Sequence, residues 1–151
     1  MPVVRLSPHF TLAEMTVTRH HRINNTPTEE ALVYLAKLAI HYLEPLRAQF
    51  GPIRVTSGYR SPALNAAIPG AAKDSAHSYG CAADVQSIHG SPVVEMMLWV
   101  IDKSGFDYDQ IIDEERGGAR WMHLGILRPR HEPAPRHQAL VMRDGAYSRF
   151  A

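Results

Sequence analysis

His77 and Asp84 stand seven residues apart in "SAHSYGCAADV", and His123 lies inside "RWMHLGIL". These are residue types that can hold a metal ion, and strand geometry says whether they can meet, because side chains two apart share a face. In "CAADVQS", Ala82, Asp84 and Gln86 face one way while Cys81, Ala83 and Val85 face the other. Val85 belongs with the core, which leaves Asp84 on the open face. In "RWMHLGIL", Met122, Leu124 and Ile126 form the apolar face and Trp121, His123 and Gly125 the opposite one. If the two strands are neighbours, Asp84 and His123 project into one groove, and the loop bearing His77 can fold over it with Gly80 permitting the turn. Two imidazoles and a carboxylate suit Zn²⁺, which in catalytic sites takes three protein ligands and lowers the pKa of a water to roughly 7. Amide hydrolysis is the natural use of such a site. The bland alternative is a turn running into a buried strand, and among nine histidines chance pairs are easy to find. The residues alone leave both open.

The elements that must position these groups can be read from periodicity and end signals. Thr11 followed by Glu14 has the spacing of a capping box, which predicts a short helix from Leu12 to about Val17. Thr28 precedes two glutamates and an apolar series, Leu32, Leu35, Leu38, Ala39, Tyr42, Leu43 and Leu46, recurring at three and four, which predicts the long helix. Pro45 should kink or break it near Leu43, and Gly51-Pro52 should end it. A strand is expected over Ile53–Thr56, a short helix from Ser61 with Pro62 first, a loop through "PGAAKDSAHSYG", and a helix capped by Ser91 with Pro92 first, closing at Gly105. "DQIIDEE", "RWMHLGIL" and "ALVMRDGAYSR" read as three strands. Helices early and strands late imply an α+β fold with a mainly antiparallel sheet.

The 151 residues suit one small domain spanning 1–151, and 45% hydrophobic with 21% charged residues is an ordinary globular composition. A net charge of +1 offers no footprint for nucleic acid. Cys81 is the single cysteine, so an intramolecular disulfide and a Cys-rich zinc module are both excluded. "MPVVRLSPHF" does not look like a secretory signal, and no stretch reaches the ~18 apolar residues of a membrane span. The expectation is a monomer made in the cytoplasm.

"SAHSYGCAAD" also resembles the Ser-x-His-x-x-Gly-x-Ala-x-Asp signature of the zinc D-Ala-D-Ala carboxypeptidase family, the LAS or M15 peptidases, through Ser75, His77, Gly80, Ala82 and Asp84. "WMH" is similar to that family's second, Trp-x-His or His-x-His, motif, and "VTSGYRSPALN" to its substrate-binding segment. The resemblance runs from about residue 10 to 127. It implies a hedgehog/DD-peptidase-like α+β fold, zinc on His77, Asp84 and His123, and action on peptidoglycan peptides containing D-amino acids. "FTLAEMTVTRHHRINNTP" resembles phage and prophage endolysins of the group, which implies action on the cell wall after release from the cytoplasm.

Such a peptidase needs a base beside the metal and a cation for developing charge. In several relatives the base is a glutamate three residues before the last zinc histidine, a position held here by Arg120. "DQIIDEE" resembles the acidic strand of the phage-type branch, which aligns Glu114 with the family's acidic residue and leaves Asp113 as second choice. Arg60 in "SGYRS" is the candidate for a substrate carboxylate or the scissile carbonyl, being a planar double donor. Ser75 could donate to a ligand or substrate, or close a turn. Trp121 shares the His123 face and could wall the groove or cap the core edge. A catalytically inactive zinc-containing wall-binding or virion module is the alternative that Arg120 keeps open.

Overall fold

The computed structural model describes residues 2–131 and 133–150. A two-stranded antiparallel ribbon, β1 (Arg5–Ser7) and β2 (Phe10–Thr11), precedes α1 (Leu12–Met15). Runs this short carry no readable alternation, so the ribbon is invisible in the sequence. The expected capping box is present: Thr11 Oγ1 accepts from the Glu14 amide at 3.1 Å, and Glu14 Oε1 accepts from the Thr11 amide at 3.3 Å. The helix ends at Met15 rather than Val17, where the Thr16 hydroxyl donates back to the Leu12 carbonyl at 2.9 Å.

Thr28 caps α2 (Glu29–Leu38), which runs through a π-helical turn (Ala39–Leu43) into α3 (Glu44–Phe50). The expected disturbance before Pro45 takes the form of that widened turn: proline has no N–H to give to the preceding turn, and a local change of helix pitch absorbs the loss. Next come β3 (Ile53–Ser57) and α4 (Pro62–Ala67), the latter capped by Ser61 with Pro62 first, as expected. The stretch expected to be loop contains a 3₁₀ turn (Ala76–Tyr79), which leads into β4 (Ala82–Ser87). Helix α5 (Val93–Asp102) starts one residue later than expected and ends earlier. Pro92 is its cap residue, no side chain caps the first turn, and the Ser91 amide donates to Ser87 Oγ at 3.1 Å.

Strands β5 (Gln110–Arg116), β6 (Ala119–Gly125), β7 (Gln138–Arg143) and β8 (Ala146–Arg149) complete the chain. The last two were expected as one strand. Asp144 and Gly145 both take positive φ, 47° and 92°, which makes a two-residue hairpin turn matched to strand twist. The main sheet has the order β3-β4-β6-β5-β7-β8, antiparallel everywhere except between β5 and β7. That parallel pair needs a long crossover, supplied by the Pro-rich segment 126–137. The fold is α+β with a mainly antiparallel sheet.

One face of the sheet is closed by the helices. Leu35, Leu38, Leu43 and Leu46 from α2 to α3 and Met96, Met97 and Val100 from α5 pack on Val55, Ala83, Val85, Ile111, Met122 and Leu124. Each such large side chain, fully buried, contributes roughly 1.5–3 kcal/mol. The opposite face is left for the site.

Candidate metal centre

Asp84 on β4, His123 on β6 and Ile112 on β5 lie directly across from one another. Side chains opposite each other in antiparallel strands share a face with Cβ atoms about 4.5–5.5 Å apart, so register alone puts the carboxylate against the imidazole. His77 comes from the 3₁₀ turn. Ser75 Oγ caps that turn by accepting from the His77 amide at 3.2 Å, which is the turn-closing alternative for Ser75. Gly80 ends it with φ 75°, and a Cβ there would lie 2.3 Å from the Ala31 carbonyl oxygen of α2. Glycine is therefore required twice over, by backbone conformation and by close approach.

The His77 ring is oriented from behind. Its Nδ1 lies 2.7 Å from the Gly58 carbonyl oxygen, which can only accept, so Nδ1 carries the proton and Nε2 presents a lone pair. Gly58 is itself pinned between α1 and β3, since a Cβ there would meet the Met15 carbonyl oxygen at 2.3 Å. His77 Nε2 faces Asp84 Oδ1 at 3.3 Å, and His123 Nδ1 lies 3.1 Å from the same oxygen. One ligand atom from each of the three residues falls within 4.8 Å of the others, and all three side chains are buried. Burial pushes the His77 pKa down, which favours the neutral ring. Burial also works against the Asp84 carboxylate, yet its polar neighbours, among them the hydrogen bond from the His123 ring, prevail and hold its pKa below the ordinary range. A neutral imidazole lone pair aimed at a carboxylate in a dry site calls for a cation between them, and a two-His, one-carboxylate set fits Zn²⁺.

Glu114 sits two residues from Ile112 on the same face, with Oε1 3.9 Å from His123 Nδ1. Burial, and then the Asp84 charge, push its pKa up to about 7. Asp113 faces the other side of the sheet. Arg120 grips both of its oxygens, at 2.8 and 2.6 Å, and Arg143 Nη2 donates to Oδ2 at 3.0 Å. Strand parity thus separates the two carboxylates that sequence left side by side, and it also explains Arg120: three residues before His123 on a regular strand, it points away from the groove and serves as the Asp113 partner.

Arg60 Nη2 donates to Asp84 Oδ2 at 3.2 Å and its Nε donates to Ser57 Oγ at 3.0 Å. Its guanidinium therefore holds the far oxygen of the Asp84 carboxylate and lines the groove. Trp121 lies opposite Glu114 in the groove wall, its indole N–H buried without a hydrogen-bond partner among the described residues. The groove encloses about 560 Å³ and runs between the 68–76 segment and the open sheet face.

The sequence patterns do not mark Met142 and Tyr147 as part of this site. Met142 and Tyr147 line the groove from β7 and β8, continuing the row Trp121, Glu114, Met142, Tyr147 across four strands. The Asp-Gly turn signal at 144–145 could have found them. Gly125 lacks a side chain where a Cβ would stand 3.1 Å from His123 Nε2, so it makes room for the ring. Cys81 is fully buried in the core on the face away from Asp84, and burial pushes its thiol up to about 12. His131 contacts Asp74 at 2.7 Å, His137 stacks on Tyr108, and neither is part of the cluster.

No curated protein compared with the chain matches it. A family model described as Peptidase M15 matches residues 8–112, a span that contains Arg60, Ser75, His77 and Asp84 and stops short of Glu114 and His123. With that match over more than half its length, and the donor set the fold assembles, the chain belongs to the peptidase M15 family.

Proposed function

We propose that the protein is a zinc-dependent peptidase hydrolysing an amide bond next to a D-amino acid in the stem peptides or cross-links of peptidoglycan, and that it serves as a phage or prophage endolysin. The observation that carries the reading is the convergence of His77, Asp84 and His123 on one point beside Glu114. His77 through Nε2, Asp84 through Oδ1 and His123 through Nδ1 would hold the ion. Zinc supplies Lewis acidity toward the scissile carbonyl and toward water.

The chain's own groups do the rest. Glu114, poised near neutrality by burial and by Asp84, takes a proton from the attacking water and returns one to the leaving amine. Arg60 fixes the Asp84 carboxylate, and the Gly58 carbonyl fixes the His77 tautomer, so both ligands are oriented before substrate arrives. Trp121 and Tyr147 wall the groove in which the peptide lies. Because Arg120 is engaged with Asp113 on the opposite side of the sheet, its presence at the alternative base position does not favour an inactive module.

No helix among the described residues is long and apolar enough to cross a membrane. We read the protein as one that reaches the wall after release from the cytoplasm and works there as a monomer. The test is cleavage of purified peptidoglycan with and without chelator, the fragments being identified by mass spectrometry. New amino termini adjoining D-residues, lost with chelator and restored by Zn²⁺, are the expected result; intact wall with zinc-loaded protein refutes the proposal.

A further inference from the structure

Four arginines line the groove, and they are not equivalent. Arg60 is committed to Asp84, Arg128 to Asp74 and Arg136 to Asp109, each by an ion pair of 3.2 Å or less. Arg116 makes no ion pair among the described residues. It is the last residue of β5, on the same face as Glu114, and its guanidinium leans across the groove to the opposite rim: a Cβ built on Gly70 would stand 3.4 Å from its Nη2. Tyr147 lines the same groove with a hydroxyl that has no hydrogen-bond partner among the described residues, and the Arg116 charge is felt there. A cation that spans the groove, and whose charge reaches Glu114 without forming an ion pair with it, is placed to take a carboxylate from a ligand, for which a guanidinium offers two parallel donors.

Position narrows which carboxylate. Arg116 is four residues along β5 from Ile112, the strand position level with Asp84 and His123, or about 13 Å of backbone at ~3.3 Å per residue. A carboxylate on the residue that forms the scissile bond lies beside the ion cluster, not two rows away. We infer that Arg116 anchors a free carboxylate of the substrate peptide borne by a residue removed from the scissile amide, so that the groove selects acidic peptides held along its length. This rests on the peptidase reading and adds a specificity-determining residue to it.

The probes are a synthetic stem peptide, L-Ala-γ-D-Glu-L-Lys-D-Ala-D-Ala, the same peptide with the D-Glu carboxylate as a primary carboxamide, and the same with a C-terminal carboxamide. Wild type, Arg116→Gln and Arg116→Lys, each checked for native circular dichroism, are compared with zinc for cleavage and after chelation for binding by calorimetry. Wild type should disfavour one of the two amidated peptides by roughly 10- to 100-fold, through KM rather than kcat, because an anchor remote from the bond binds ground and transition states alike. Arg116→Gln should treat that peptide and the parent within about twofold, and Arg116→Lys should keep part of the preference.

Equal handling of all three peptides by wild type, or discrimination that survives in Arg116→Gln, overturns the inference while leaving the peptidase intact. If zinc-loaded wild type cleaves none of them, the peptidase reading fails instead, and the carboxylate preference in the binding arm still decides for or against Arg116. Failure to bind any of the peptides overturns both.

Discussion

Replacing Gly80 by alanine should strike the fold and the metal centre together, and the structure provides its own control. Gly80 and Gly90 both hold left-handed backbone, with φ of 75° and 84°. An alanine forced into that region costs roughly 1–2 kcal/mol. Around Gly90 an added Cβ meets nothing within 4 Å, so Gly90→Ala should cost that much and no more. At Gly80 the same atom would lie 2.3 Å from the Ala31 carbonyl oxygen, a backbone atom of a packed helix that cannot swing aside. Moving the 3₁₀ turn off α2 adds about 1–3 kcal/mol of overpacking, for a total of about 2–5 kcal/mol. Urea unfolding in chelator reads the two losses directly. Zinc content after dialysis reads the second consequence: the Gly80 amide bonds to the His77 carbonyl at 3.3 Å, so the displaced turn carries His77, a proposed ligand, with it. Equal destabilisation by the two substitutions, or full zinc retention in a Gly80→Ala protein that has lost stability, would refute the contact argument.

Glu114→Gln should retain zinc and lower turnover by ~10² or more, measured on purified peptidoglycan. In metal-free protein the raised Glu114 pKa makes the native state hold a proton that the unfolded chain has released, so its contribution to stability falls as pH rises from 4.5 to about 7. Urea curves at pH 5 and pH 8 should show that decline in wild type and a flatter profile in Glu114→Gln, with a difference of up to about 3 kcal/mol; parallel profiles contradict the assignment. Asp113→Asn should do the reverse, costing about 3 kcal/mol through the two arginines it abandons while turnover per folded molecule survives, as tested by pairing denaturation with kinetics. Glu44 takes hydrogen bonds from Ser7 Oγ at 2.6 Å and the His9 amide at 2.7 Å. These outweigh its burial and lower its pKa from 4.5, so the stabilisation is present above pH 4.5 and is lost as pH falls through the folded value. Amide exchange should show the β1–β2 ribbon losing protection in acid before the main sheet does, and Glu44→Gln should remove that pH dependence.

What was legible in the sequence followed from local periodicity. Parity assigned Asp84 and His123 to one face without any knowledge of which strands were neighbours, and the observed Asp84–His123 register supplied the missing half. The capping box at Thr11 and Glu14 and the cap at Ser61 were readable because each is completed within four residues. Parity was equally available for Asp113 and Glu114, but the phase of that strand relative to the core is fixed by its partners β6 and β7, so the choice there leaned on resemblance. The Ser91-Pro92 start lies one residue off because Pro92 takes extended backbone, ψ 146°, and is itself the cap residue. The sequence marks Arg60 as a candidate cation for a substrate carboxylate or the scissile carbonyl, but its contact with Asp84 Oδ2 is set by how β3 and β4 pair and joins residues 24 apart, which no local pattern shows.

The parallel β5–β7 contact has an evolutionary consequence. The β7–β8 hairpin hangs on the outer edge of the sheet, joined to the remainder along β5 alone, yet it contributes Met142 and Tyr147 to the groove. Mutation or replacement of that peripheral ribbon can therefore reshape the groove wall while strands β6 and β4, which carry His123 and Asp84 two and three places inward, keep their geometry. Diversification of the groove within the family would be concentrated there.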